Sequence, residues 1–266
     1  MTLTTKQKDE MYADALHAAI TEPGTLAKAL TSFHQYSFGN QLLALGQAHE
    51  RGLELSPIST YKKWKGLGRI VKKGQKALWL TIPMLVQTED KDTGEKTPRT
   101  FFVMKPRFFL ASQTEATDGS DWRTMETDDV PEWDRLRAWK ALDITEEPYA
   151  LLDGNCGGYA MDRTLAVNPL HPHPLRIYFH EAAHIVLGHT EEGQRQTEDR
   201  TPRNIRELEA ELTSYLCCSA VGAEAGAEQS RGYVQWWYDQ QAVPADSVKR
   251  IFKATDAIIK AGREQQ

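Results

Sequence analysis

Residues 175–188 read Leu175-Arg176-Ile177-Tyr178-Phe179-His180-Glu181-Ala182-Ala183-His184-Ile185-Val186-Leu187-Gly188. The apolar residues Leu175, Ile177, Ile185, Val186 and Leu187 supply a packing surface and Gly188 is a natural stop, which predicts a helix. Two histidines four apart on a helix lie on one face, about one turn from each other. Both imidazoles then reach one tetrahedral metal without bending the backbone, and Glu181 lies between them. Such a metal acidifies a water molecule, whose proton Glu181 would accept and pass to a leaving amine. The expectation is one divalent metal on His180 and His184, zinc first and manganese second, with Glu181 as the general base.

The bland alternative is a surface helix with an incidental histidine pair. The apolar character of the helix argues against it. So does a strand-like segment upstream, Gly158-Tyr159-Ala160 to Leu165-Ala166-Val167-Asn168, where zincins keep the strand that pairs with an extended substrate. His189 follows His184 by five residues rather than the six of metzincins, and reads as a solvent-exposed histidine at the helix end. The better source of a third ligand is Arg206-Glu207-Leu208-Glu209-Ala210-Glu211-Leu212. Glu207 and Glu211 share a helix face, whereas Glu209 points about 160° away from Glu207. A gluzincin-type site wants one carboxylate on the metal and another, four residues on, that accepts the remaining ring N–H of a ligand histidine. Glu207 is the expected ligand and Glu211 its second carboxylate, with Glu211 and Glu209 left open as alternative ligands. Cys156, Cys217 and Cys218 lack the Cys-x-x-Cys spacing of structural zinc and read as small buried hydrophobes.

Away from this helix, charge divides the chain. Residues 1–110 hold 16 Lys/Arg against 10 Asp/Glu, whereas residues 111–266 hold 16 against 27. A basic half joined to an acidic half suggests that one part binds a polyanion. Seven basic residues, Lys62, Lys63, Lys65, Arg69, Lys72, Lys73 and Lys76, fall in one stretch with no acid among them. Tyr61, Trp64 and Trp79 would offer flat faces for unpaired bases while the cations contact phosphates, which suits single-stranded nucleic acid read without sequence preference. The rival reading is a solvated basic turn whose tryptophan is core.

The remaining pattern predicts helices over 6–20, after Pro23 through Phe33, over 39–51 behind Ser37, near 132–141, and over 204–220, 228–241 and 245–262. It predicts strands over 76–86 and 100–110 around a polar hairpin loop from Gln87 to Arg99, and a strand pair near 149–167. Residues 115–134 carry eight acidic side chains against one basic and read as a linker or surface excursion. Length favours two domains. The expected architecture is α+β: an N-terminal single-strand-DNA-binding domain over 1–115, an acidic linker over 116–134, and a mainly helical zincin-like domain with a small antiparallel sheet over 135–266. No apolar run is long enough to span a membrane, no secretory core opens the chain, and the odd cysteine count suits a reducing compartment, so the cytoplasm is expected.

Taken together the chain resembles the ArdC-type antirestriction proteins of plasmids and phages. The resembling stretches are Ser32 to Ser37 with Asn40 to Leu43 and Gln47, then Trp64, Gly68, Val71, Lys73, Gly74, Pro83 and Phe109 to Gln113. In the second half they are His180 to His184, Arg206 to Tyr215 and Arg231-Gly232-Tyr233. The resemblance implies non-specific single-strand DNA binding, a bound divalent metal, a zincin-like metallopeptidase domain and protection of incoming DNA from host restriction. Two other functions stay open: a regulatory protease that cleaves a repressor, as in the ImmA/IrrE zincins, and a DNA-binding protein whose metal is purely structural.

Overall fold

The computed structural model describes residues 3–21, 23–89, 96–119, 121–124, 130–150, 156–190, 201–240 and 243–264. Helices α1 (Thr5–Thr21), α2 (Pro23–Ser32) and α3 (Phe38–Glu50) open the chain, and α3 buries the stripe Leu42, Leu43, Leu45 and Ala48. Strand β1 (Ile58–Thr60), the short helix α4 (Tyr61–Gly66) and strand β2 (Arg69–Val71) follow. The long hairpin of β3 (Leu78–Glu89) and β4 (Lys96–Leu110) leads to β5 (Thr114–Ala116). The second half comprises α5 (Arg135–Ala141), β6 (Thr145–Glu146), β7 (Gly158–Met161), β8 (Thr164–Val167), α6 (Pro174–Val186), α7 (Arg203–Ala220), α8 (Glu224–Gln240) and α9 (Ala245–Gly262). The fold is therefore mixed α+β.

One sheet has the order β1-β4-β3 with antiparallel pairing, and β2 pairs antiparallel with β5. The small sheet of the second half has the order β6-β8-β7. Its β7–β8 pair is antiparallel, as expected, and a short parallel pairing with β6 adds to it.

The sheet edge at β3 explains two polar residues of α3. Asn40 donates to the Thr81 carbonyl at 2.9 Å and accepts from the Thr81 N–H at 2.8 Å. Gln47 does the same at Trp79, both bonds at 2.9 Å. Each amide thus stands in for a neighbouring strand, satisfying edge groups that would otherwise lie unpaired against a helix. Both strands of the hairpin run further than expected, pairing through Thr88 and Thr97 into the segment read as loop. Residues 90–95 lie outside the described residues. Met84, Leu85, Val86, Phe101 and Phe102 are exposed on the part of the hairpin adjoining this extension.

The acidic stretch read as a linker is tied down where it is described. Thr114–Ala116 pairs with β2, and the Trp133 indole donates to the Ile258 carbonyl at 3.1 Å and packs 4.8 Å from the Phe179 ring. Ser120 and residues 125–129 of that stretch lie outside the described residues.

Helix α9 joins the two halves of the chain. Its Asp256 accepts the Phe38 N–H at the start of α3 at 2.8 Å, its Lys249 pairs with Asp9 of α1 at 2.8 Å, and its Phe252 packs edge-on against Tyr12. The Tyr215 hydroxyl of α7 donates to the Ala19 carbonyl at 2.7 Å. One apolar core runs from α1–α3 through α7 and α9 to α6. Among the described residues no helix is long and apolar enough to cross a membrane.

Candidate functional site

Helix α6 begins with Pro174, whose missing N–H costs nothing in a first turn. It ends at Gly188, which adopts φ +75°. There the Gly188 N–H reaches the Ile185 carbonyl at 3.1 Å and the His189 N–H reaches the His184 carbonyl at 2.8 Å. This is the Schellman closure, which needs a left-handed residue at Gly188 and folds the next residue back over the helix end.

α6 packs along α7, which supplies the carboxylates. His180 Nε2 and His184 Nε2 lie 3.2 Å apart, and Glu207 Oε2 lies 3.6 Å from each. Two donors about 2.1 Å from a tetrahedral ion are separated by roughly 3.4 Å, so this triangle has the size an ion needs. It is the one group of this kind among the described residues. The tautomers point the same way. Glu211 Oε2 lies 2.9 Å from His180 Nδ1, and an ionised carboxylate only accepts, so Nδ1 carries the proton and Nε2 presents its lone pair. Two lone pairs and a carboxylate oxygen facing one another demand a positive charge. Burial disfavours charging His180, yet the Glu207 carboxylate 3.6 Å away and the Glu211 carboxylate bonded to it outweigh this and raise its pKa to about 9. The two imidazoles in turn hold Glu207 well below the usual carboxylate range.

Glu181 is buried, and burial raises its pKa against the pull of His180 and His184. A carboxylate shifted upward in this way is a better proton acceptor near neutral pH. Edge strand β7 runs directly beside it. A Cβ on Gly158 would lie 2.6 Å from Ile177 Cγ2, 2.9 Å from the Ala166 carbonyl and 3.2 Å from Glu181 Cγ, so only glycine allows this approach.

Glu211 is fixed from its other side, where Arg176 donates to Oε1 at 2.6 Å and also to Ser230 at 2.9 Å. Burial pushes Glu211 up, but His180 and Arg176 hold it below the usual range. Glu209 turns away from the triangle. Its Oε2 lies 2.9 Å from His189 Nε2, and Arg250 of α9 grips its Oε1. The geometry thus removes Glu209 as an alternative ligand, and Glu211 meets the Nδ1 side of His180 rather than the Nε2 side.

The expectation that His189 is exposed is overturned. It is buried, and its Nδ1 lies 3.0 Å from His184 Nδ1. The residue spacing concealed this, because the Schellman turn reverses the chain between them. The Gly188-His189 step after the last apolar residues of the helix was the signal in the sequence. Burial lowers the His189 pKa, keeping the ring neutral.

Among the basic residues, two expectations fail. Trp64 is 1% exposed, with its indole donating to the Phe109 carbonyl at 2.8 Å, so it is core and presents no face to a base. Arg69 is 5% exposed and donates to Thr114 Oγ1 at 2.8 Å, so it meets no phosphate. Lys62, Lys63 and Lys65 are exposed on α4, as are Lys72, Lys73 and Lys76 in the connection to β3. Lys72 also donates to the Ser112 carbonyl at 3.0 Å. Tyr61 is exposed at the head of α4, whereas Trp79 is half-buried against the core. Cys217 and Cys218 are buried in that core and Cys156 is half-buried.

Residues 14–114 match the family model described as the N-terminal domain of anti-restriction factor ArdC. The metal-free crystal structure of the antirestriction ArdC protein from plasmid R388 is similar over 94% of this chain and 94% of that one, at 22% identity and a TM-score of 0.52. Its Mn(II)-bound structure is similar over 96% of this chain and 99% of that one, at 18% identity and a TM-score of 0.50. No curated protein matches the chain at a significant level. Residues 14–114 therefore match the ArdC N-terminal domain, and over nearly its whole length the chain shares the fold of the R388 ArdC protein.

Proposed function

We propose that this is an antirestriction protein of a mobile element, acting in the cytoplasm of the recipient cell. It binds single-stranded DNA without sequence preference through a unit spanning about 1–115. A second unit, about 135–266, carries a peptidase-type centre that holds a divalent metal. The observation that carries the metal reading is the triangle of His180 Nε2, His184 Nε2 and Glu207 Oε2, three acceptors that face one another across a metal-sized gap. Its two imidazoles suit zinc, and the related R388 protein holds Mn(II). A divalent ion there supplies a Lewis acid that acidifies water and polarises a carbonyl. Glu181 takes the proton from the attacking water and returns it to the leaving amine. Edge strand β7, passing close to Glu181, aligns an extended peptide by adding it as a further strand.

The DNA contacts are Lys62, Lys63, Lys65, Lys72, Lys73 and Lys76, with Tyr61 rather than Trp64 as the aromatic beside them. Single strands release about 0.7 counterions per neutralised phosphate, so six contacts give a slope of roughly −4 in log affinity against log salt. Fluorescence anisotropy with a labelled oligonucleotide reads this directly. Replacing Lys62, Lys63 and Lys65 by Gln is expected to flatten the slope by about 2. Absence of binding near 50 mM salt, or a slope that the triple change leaves alone, removes the DNA reading. Glu181→Gln separates coating from proteolysis: restriction protection that survives it, with DNA binding intact, belongs to coating.

A further inference from the structure

We propose that His189 and Glu209 position the metal ligand His184, forming a relay that ends at Arg250. The inference rests on the metal reading above. His180 has an evident outer partner in Glu211, which Arg176 holds in turn. Among the described residues no carboxylate stands at the corresponding place on His184. Its Nδ1 instead meets His189 Nδ1 at 3.0 Å.

The hydrogen inventory of this chain has one solution once His184 Nε2 faces the ion. His184 Nδ1 must then carry a proton, and it donates to His189 Nδ1. His189 Nε2 must carry the other proton, and it donates to Glu209 Oε2 at 2.9 Å. Glu209 Oε1 accepts from Arg250 Nε at 3.1 Å, and Arg250 also reaches Ser247 at 3.1 Å. Each ring proton of His184 and His189 meets an acceptor. The reverse direction would aim a lone pair of His189 at a carboxylate that can only accept. Glu209 is fully buried, so only its partners repay the desolvation of its charge.

The relay is also built rigidly. The Schellman turn at Gly188 brings His189 back over the end of α6. Arg206 then donates to the His189 carbonyl at 3.2 Å, and the neighbouring Thr190 hydroxyl donates to the Asp162 carbonyl at 2.6 Å. The His184 ring is thereby locked in one tautomer and one orientation, and its ligating nitrogen is made more basic. Because Arg250 sits on α9, the far end of the relay rests on the helix that also packs on α1 and α3.

Loss of such an outer partner lowers metal affinity by about 10-fold to 100-fold. The test titrates Zn(II) and Mn(II) against a competing chelator for the wild type, His189→Ala, Glu209→Gln and His189→Gln. The first two variants should lose affinity in that range, measured well below their lowered metal-free melting temperatures, while keeping the wild-type far-UV spectrum. His189→Gln should recover much of the loss, because its amide can accept from His184 and donate to Glu209. In the Zn(II) form, side-chain nitrogen NMR should show His184 protonated at Nδ1 and metallated at Nε2. Equal affinity in the wild type and His189→Ala, or a His184 ring metallated at Nδ1, overturns the relay alone. A wild type that binds neither ion overturns the metal reading and the relay with it.

Discussion

His184→Ala should lower the affinity for Mn(II) or Zn(II) by about two to three orders of magnitude. Four-ligand protein zinc sites bind with roughly 10–16 kcal/mol near neutral pH, so each donor contributes on the order of 3–4 kcal/mol. With about 1.4 kcal/mol per tenfold change, one lost imidazole gives the stated range. The metal-free fold should be little affected, since the apolar face of α6 remains intact. Chelator competition supplies the affinity and a melting curve without metal supplies the control. An affinity within threefold of the wild type would mean that the ion, if bound, sits elsewhere.

Trp64→Ala should destabilise the fold by about 3–5 kcal/mol, the range for truncating a large aromatic in a packed core. Its indole also leaves the Phe109 carbonyl without that donor, which adds to the cost. Neutralising Lys62 or Lys63 on the same helix should change stability by no more than about 0.5 kcal/mol, as exposed positions do. Urea unfolding of the three variants separates these outcomes. A Trp64→Ala protein as stable as the wild type but impaired in DNA binding would restore the tryptophan to the interface and contradict the buried position.

These two residues mark where the sequence could and could not be read. Spacing within one element was legible. Leu42, Leu43, Leu45 and Ala48 line one side of α3, and Glu207 and Glu211 both turn towards α6 because a four-residue step returns to the same face. Contacts between distant segments were not. Trp64 and Arg69 look solvent-facing in a lysine-rich stretch, and only their partners Phe109 and Thr114, each 45 positions away, bury them. The short strand β1 escaped notice because three residues carry no period, and its place is set by pairing with β4. His189 lay hidden behind a turn that inverts the direction of the chain. Asn40 and Gln47 were legible only as a resemblance, and their work at the edge of β3 emerges once the sheet is present.

Anomalous diffraction from crystals grown with Mn(II) tests the central claim most directly. The account predicts one strong peak enclosed by His180 Nε2, His184 Nε2 and the Glu207 carboxylate, with Glu211 and His189 on the outer sides of the two rings. A peak on Glu209 or the cysteines, or none at this triangle at saturating Mn(II), would contradict it.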